Sequence, residues 1–161
     1  MERVDGLKKF SGREVAREQA FSEIWSNEIN EVFADVACHY DRVNRAASLG
    51  MIDWFRKSFV SIIDLKPKQR VLDVCAGTNA VGIALLKKQP DLEIYAVDRS
   101  AEMQRVGQEQ AKAHGFHIDS TITDVHTLPF PDNHFDVVTV QFASRHLRLM
   151  EVIKEIQRVL K

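Results

Sequence analysis

Cysteine is nearly missing from this chain: Cys38 and Cys75 are the only two in 161 residues. That excludes a disulfide framework, and without a Cys-x-x-Cys spacing it also excludes the common zinc and thiol-redox motifs. Both thiols are expected to be packed. Long apolar runs are missing as well. No stretch approaches the ~20 consecutive apolar residues of a membrane-spanning helix, and Met1 to Lys9 lacks the apolar region of a signal peptide. These absences lead to the expectation of a cytoplasmic chain, at most peripheral to the inner face of a membrane. Neither sign of charge dominates: 22 Lys and Arg stand against 23 Asp and Glu, for a net charge of -1. A nucleic-acid partner held by phosphate neutralisation is therefore disfavoured. His39, His114, His117, His126 and His134 show no ligand spacing, so no metal site is expected and these residues are read as surface or turn positions. Internal repeats and low-complexity segments do not occur.

What is present is a 45% hydrophobic chain of single-domain length, read as one domain over 1–161. A helical N-terminal portion, 1–65, precedes an α/β portion, 66–161. From Gly12 to about Tyr40, Phe21, Ile24, Trp25, Ile29, Val32, Phe33 and Val36 recur at helical steps, and Met51 to Ile63 repeats the pattern. Lys66-Pro67-Lys68 is a turn. The run Val71-Leu72-Asp73-Val74 then reads as a strand that breaks at Gly77, and Ala80 to Lys88 as a helix ending before Pro90. A second strand, Glu93 to Asp98, stops on a carboxylate. Ser100 is the expected cap of the next helix and Gly115 its left-handed exit. Strands at 118–123 and 135–140 and a helix over 147–161 complete the alternation. Such alternation implies a parallel sheet with ligands at the carboxyl ends of its strands.

Gly77 and Asp98 carry the chemistry. A glycine turn after the first strand and an acidic residue roughly 20 positions later is the spacing at which one βαβ unit sets a carboxylate beside a ribose. Asp98 can accept both ribose hydroxyls, and Asp124, after the third strand, is within reach of an adenine amino group. Taken singly, Gly77 is compatible with an ordinary loop glycine and Asp98 with a solvated residue at a helix start. Together they point to a nucleoside cofactor. No Gly-Lys-Ser/Thr ending follows the turn, which disfavours triphosphate hydrolysis.

With these blocks the sequence resembles class I S-adenosylmethionine-dependent methyltransferases, and more closely the ubiquinone/menaquinone biosynthesis C-methyltransferase family. The resemblance rests on Tyr40-Asp41 with Asn44, Ser48-Leu49-Gly50, Arg70 to Thr78, Asp98 with Met103, Leu128 to Asn133 followed by Phe135-Asp136-Val137-Val138, Phe142-Ala143-Ser144-Arg145, and Arg158 to Lys161. It implies a Rossmann-like three-layer α/β sandwich with N-terminal helices, lacking the usual C-terminal strands. It also implies S-adenosylmethionine as cofactor, with contacts at Asp73, Gly77, Thr78, Asp98, Asp124, Val125 and Gln141. The reaction implied is transfer of a methyl group to a ring carbon of a demethylmenaquinol, ubiquinol or related small aromatic. In that family a proton-removing role falls on the arginine of the Phe-x-x-Arg block, here Arg145. Arginine holds its proton at ordinary pH, so Arg145 is read chiefly as a stabiliser of phenolate, with His146 beside it as the better proton acceptor. Tyr40 and Asn44 line the expected substrate entrance, helix-end packing being their bland alternative. Peripheral membrane contact follows from the prenylated substrate class; no basic amphipathic run is visible.

Two departures from the family shape the expectations. Asn79 replaces a second glycine and is expected to put a side chain near the methionine portion of the cofactor. The family also continues past the Arg-Val-Leu-Lys block into further strands, which would leave the strand at 135–140 as an edge. A homodimer, or a separate chain, is expected to cover it. Both departures leave a second reading open: a non-catalytic or partner-dependent subunit that binds the cofactor and completes or regulates a methyltransferase.

Overall fold

The computed structural model describes residues 31–144 and 147–161. The expected helix from Gly12 onward lies outside them up to residue 30. Residues 31–36 are helical, a turn follows at 37–39, and a separate helix, α1 (Tyr40–Ala47), begins there. Leu49 and Gly50, both with positive φ, turn the chain into α2 (Met51–Ser61). The alternating half runs β1 (Arg70–Val74), α3 (Ala80–Lys88), β2 (Glu93–Asp98), α4 (Ala101–Ala113), β3 (Asp119–Ile122), β4 (Val137–Val140) and α5 (Leu149–Val159).

Local chemistry sets these boundaries. Ser100 Oγ accepts the Met103 N–H at the start of α4. Its far end closes in a Schellman motif, with Gly115 N–H bonded to Lys112 O and Phe116 N–H to Ala111 O. Helix α3 stops ahead of Pro90 with Lys87 and Lys88 in its last turn. Lys88 Nζ reaches past it to donate to the carbonyls of Val60, Ser61 and Ile63 at the end of α2, where the helix dipole favours a cation.

The four strands are parallel in the order β3-β2-β1-β4. Strand order reverses between β1 and β4, the switch point at which doubly wound sheets open a crevice for ligands. Alternate residues of the strands feed two apolar layers. Val71, Ile94 and Ala96 pack with Val60 of α2, Leu85 of α3 and Ala111 of α4. On the opposite face Leu72, Val74 and Val97 pack with Phe135 and with Val152 and Val159 of α5. The result is the expected three-layer α/β sandwich.

The last strand is shorter than the expected 135–140. Phe135 instead bridges in parallel to Leu160, with Lys161 N–H donating to Phe135 O. That bridge also ends α5 at Val159 rather than 161. Among the described residues, β4 pairs only with β1 and is an edge of the sheet. Cys38 is exposed, against the expectation of a packed thiol, while Cys75 is half-buried. Among the described residues no helix is long and apolar enough to cross a membrane.

Candidate cofactor site

Past the end of β1 the backbone enters the left-handed region three times in alternation, at Cys75 (φ 56°), Gly77 (φ 53°) and Asn79 (φ 57°). For the two residues with a Cβ this conformation is strained, and such strain gathers where a loop must curl around a ligand. Gly77 tolerates it freely. Asp98, at the tip of β2, fixes the curl: its Oδ2 accepts the Gly77 N–H at 2.8 Å and its Oδ1 the Ser100 N–H at 2.9 Å. Burial pushes the Asp98 carboxyl up from its ordinary value, while these N–H groups pull it back without cancelling the rise. The residue the spacing singled out thus joins the glycine turn to the start of α4.

Around this curl lies a cavity of about 160 Å³. Of the sequence-derived candidates, Tyr40, Asp73, Gly77, Thr78, Asp98 and Gln141 line it. Three others do not. Asn44 sits one turn beyond Tyr40 on α1, about 6 Å further along the axis, and is not part of the lining. Asp124 is turned aside by an Asx-type turn, its Oδ1 accepting the His126 N–H at 2.9 Å and pairing with the His126 ring. Its partial burial alone would raise its carboxyl; the His126 contacts outweigh that and hold it below the ordinary value. Val125 gives its side chain to the core beneath α5. Arg145 and His146 lie outside the described residues.

Among the described residues, three carboxylates, Asp41, Asp73 and Asp98, face this cavity together with one cation, Arg56. Asp41 and Arg56 were not among the expected contacts; they arrive from α1 and α2. Asp41 accepts from Thr78 Oγ1 at 3.1 Å and Gln110 Nε2 at 3.0 Å, tying α1 to the glycine turn and to α4. Asp73 is fully buried. Thr139 Oγ1 on β4 donates to its Oδ1 at 2.7 Å, while Oδ2 has no partner. Burial first, then the neighbouring Asp98, lift its carboxyl from 3.8 to about 7. The same surroundings push the Cys75 thiol up, keeping it protonated and unsuited to nucleophilic work. An excess of carboxylates among the described lining residues, one with an unpaired oxygen, favours a cationic group in their midst.

Asn79 corrects an expectation. Its side chain does not reach toward this cavity; it is buried against α4, where its Oδ1 accepts from Gln104 Nε2 at 3.1 Å. The same Gln104 nitrogen donates to Gly77 O at 2.9 Å. One argument for a silent subunit is thereby removed. His126, read as a surface or turn residue, lies in the Asp124 turn; it is largely covered and accepts the Arg148 N–H at the start of α5 through Nε2.

A parallel sheet with a glycine turn and an acid at adjacent strand ends defines a Rossmann-like methyltransferase fold. The crystal structure of a candidate S-adenosyl-L-methionine-dependent methyltransferase from Methanococcus maripaludis superposes with a TM-score of 0.67, at 21% identity, over 80% of this chain and 59% of that one. The model of the ubiE/COQ5 methyltransferase family matches residues 21–161, and the chain belongs to that family. It is similar to the demethylmenaquinone methyltransferase of Geobacillus stearothermophilus, 37% identical over 83% of this chain and 58% of the relative. It is also similar to the ubiquinone/menaquinone biosynthesis C-methyltransferase UbiE of Burkholderia multivorans, 36% identical over 81% of this chain and 54% of the relative. The chain thus spans a little over half the length of these relatives.

Proposed function

We propose that the acidic cavity binds S-adenosylmethionine and that the chain works in a methyltransferase acting on a carbon of a demethylmenaquinol- or ubiquinol-type ring. The observation that carries this reading is the cluster of Asp41, Asp73 and Asp98 at the switch point, with the Gly77 turn tied to Asp98. The cofactor carries positive charge on its sulfonium and its amino group against one carboxylate, a net positive charge that suits a chamber in which, among the described residues, three carboxylates face one cation. Asp98 is the ribose acceptor in this reading, and the unpaired Oδ2 of Asp73 is the counter-charge to the amino group. Thr78 and Gln141 border the same space. Bound there, the cofactor supplies an electrophilic methyl group, and the protein's share is alignment and proton removal. Arg145 is assigned the stabilising of phenolate and His146 the proton, on the family resemblance. The names of the relatives from Geobacillus stearothermophilus and Burkholderia multivorans support the quinol as acceptor.

Peripheral contact with a membrane and a cytoplasmic location are part of this reading, as is a second chain along the free edge of β4. Light scattering is expected to find a particle heavier than the 18.4 kDa monomer; a clean monomer counts against self-pairing at that edge.

The test of the cofactor is calorimetric titration with S-adenosylhomocysteine. Micromolar binding is expected for the native chain. Asp98→Ala removes a charge-assisted acceptor worth about 1.5–3 kcal/mol, so affinity should fall by about ten- to a hundredfold or more. A melting curve on the variant guards against simple unfolding. No heat with the native chain would sink the cofactor assignment, and undiminished affinity in Asp98→Ala would sink the ribose contact.

A further inference from the structure

Within the acidic chamber Arg56 is the one cation among the described lining residues, and the ribose and amino-group contacts leave it without a task. It comes from the middle of α2. Ile52, Arg56 and Val60 recur at four-residue steps and share one face of that helix. Val60 packs in the core and Ile52 lines the chamber, so this face is turned inward. The Arg56 side chain is only 19% exposed. A guanidinium held this deep needs a partner for its charge.

Its partnership is half made. Nη1 donates to Asp53 Oδ1 at 3.2 Å, the one hydrogen bond Arg56 makes among the described residues. Asp53 does not depend on it, because Arg45 Nε holds the other carboxylate oxygen at 2.7 Å. Asp53 also lines the cleft next door and not the chamber, while Arg56 lines both. The contact therefore takes up the cleft side of the guanidinium. Nε is buried without a partner, and the edge it shares with Nη2 is one on which a carboxylate makes two parallel N–H bonds. A buried donor left unpaired is costly and calls for an explanation.

Asp73 supplies the complement. Among the described residues that line the chamber, Arg56 and Asp73 alone carry a buried side-chain atom without a hydrogen bond, Nε on one and Oδ2 on the other. The two feel each other's charge: burial raises the Asp73 carboxyl, and Arg56 is among the groups that pull against the rise. Yet each has its hydrogen bond elsewhere, Arg56 with Asp53 and Asp73 with Thr139. An unpaired donor on a cation and an unpaired acceptor on an acid, near but apart, fit the two charges that an α-amino acid carries on one carbon. We propose that Arg56 anchors the carboxylate of the cofactor's methionine portion while Asp73 holds its amino group. The inference rests on the cofactor reading and adds a specificity residue to it. Gripping both groups fixes the α-carbon, and with it the direction in which the chain runs to the sulfonium. A ligand with the amine alone would set its positive charge beside an unanswered guanidinium, so it binds weakly.

The test compares two ligands by titration calorimetry: S-adenosylhomocysteine and its decarboxylated counterpart, which keeps the amine and lacks the carboxylate. The native chain is expected to bind the first at least about tenfold more tightly. Arg56→Met should weaken S-adenosylhomocysteine by at least about tenfold and the decarboxylated ligand not at all, so that the preference vanishes. Arg56→Lys keeps the charge but not the fork and should restore part of it. The native comparison needs no variant to fold. The proposal is overturned if the native chain binds both ligands equally, or if Arg56→Met weakens both by the same factor, as a merely structural arginine would. Either result leaves the cofactor reading standing. A native chain that binds neither ligand overturns that reading, and the anchor with it.

Discussion

Asp73→Asn is expected to raise the stability of the free chain at pH 8, leave it nearly unchanged at pH 4, and weaken S-adenosylhomocysteine binding. The signs follow from burial. Asp73 is held where its carboxyl titrates at about 7 rather than 3.8, so the folded chain binds a proton that the unfolded chain gives up. The stability tied to that proton is fully present below about pH 3.8 and is lost as pH rises to about 7. The interval corresponds to about 4 kcal/mol as an upper bound. Asparagine cannot ionise and keeps an oxygen for the Thr139 hydroxyl, so the variant escapes that loss. Urea melts at pH 4 and 8 measure the difference. Binding runs the other way, because the ligand's cationic amino group is met by the ionised carboxylate. For the native chain, affinity should be about tenfold weaker at pH 6 than at pH 8, and in Asp73→Asn it should be weak and flat with pH. A native affinity that ignores pH would detach Asp73 from the ligand. A variant less stable than native at pH 8 would mean that Arg56 compensates the buried charge.

Closeness along the chain decided which residues were legible in the sequence. Gly77 and Asp98 could be read because one βαβ unit carries both, and the path between them is fixed by a strand, a helix and another strand. Ser100 and Gly115 were legible for a similar reason, since caps depend on neighbours within a single turn. Asp124 is absent from the cavity lining, and the two residues after it close a turn on its own carboxylate, a local competition that strand-end position does not reveal. Asp41 and Arg56 come to the chamber from α1 and α2, so their place depends on how the helical layer docks. No periodicity encodes that docking, although the Tyr-Asp block already held Asp41.

Asn79 shows a longer-range version of this, and it leads to the second large effect. A Cβ at Gly107 would lie 2.8 Å from the Asn79 amide and 2.8 Å from the Thr78 carbonyl carbon, closer than atoms can pack without something moving. Gly107→Ala gains about 1 kcal/mol of helix propensity but forces backbone or side chain to move, at about 1–3 kcal/mol in a packed core. The net expectation is a less stable chain, with the damage directed at the Gly77 turn. Gln104→Ala attacks the same point from its polar side: Asn79 Oδ1, which is buried, and Gly77 O, which is part-buried, lose the donor they share, a loss of about 2–3 kcal/mol. Each variant should lower the melting temperature and weaken S-adenosylhomocysteine binding together, since the turn that accepts the ligand is the turn that moves. Adding Asn79→Ser to Gly107→Ala removes the amide but not the Thr78 contact, so it should restore part of the stability and not all. If Gly107→Ala proved stabilising, the Asn79 side chain would have to swing out toward the cofactor chamber, returning it to the position expected from the missing glycine. A stabilised variant with undiminished affinity would show that neither Asn79 nor Gln104 sets the shape of the turn.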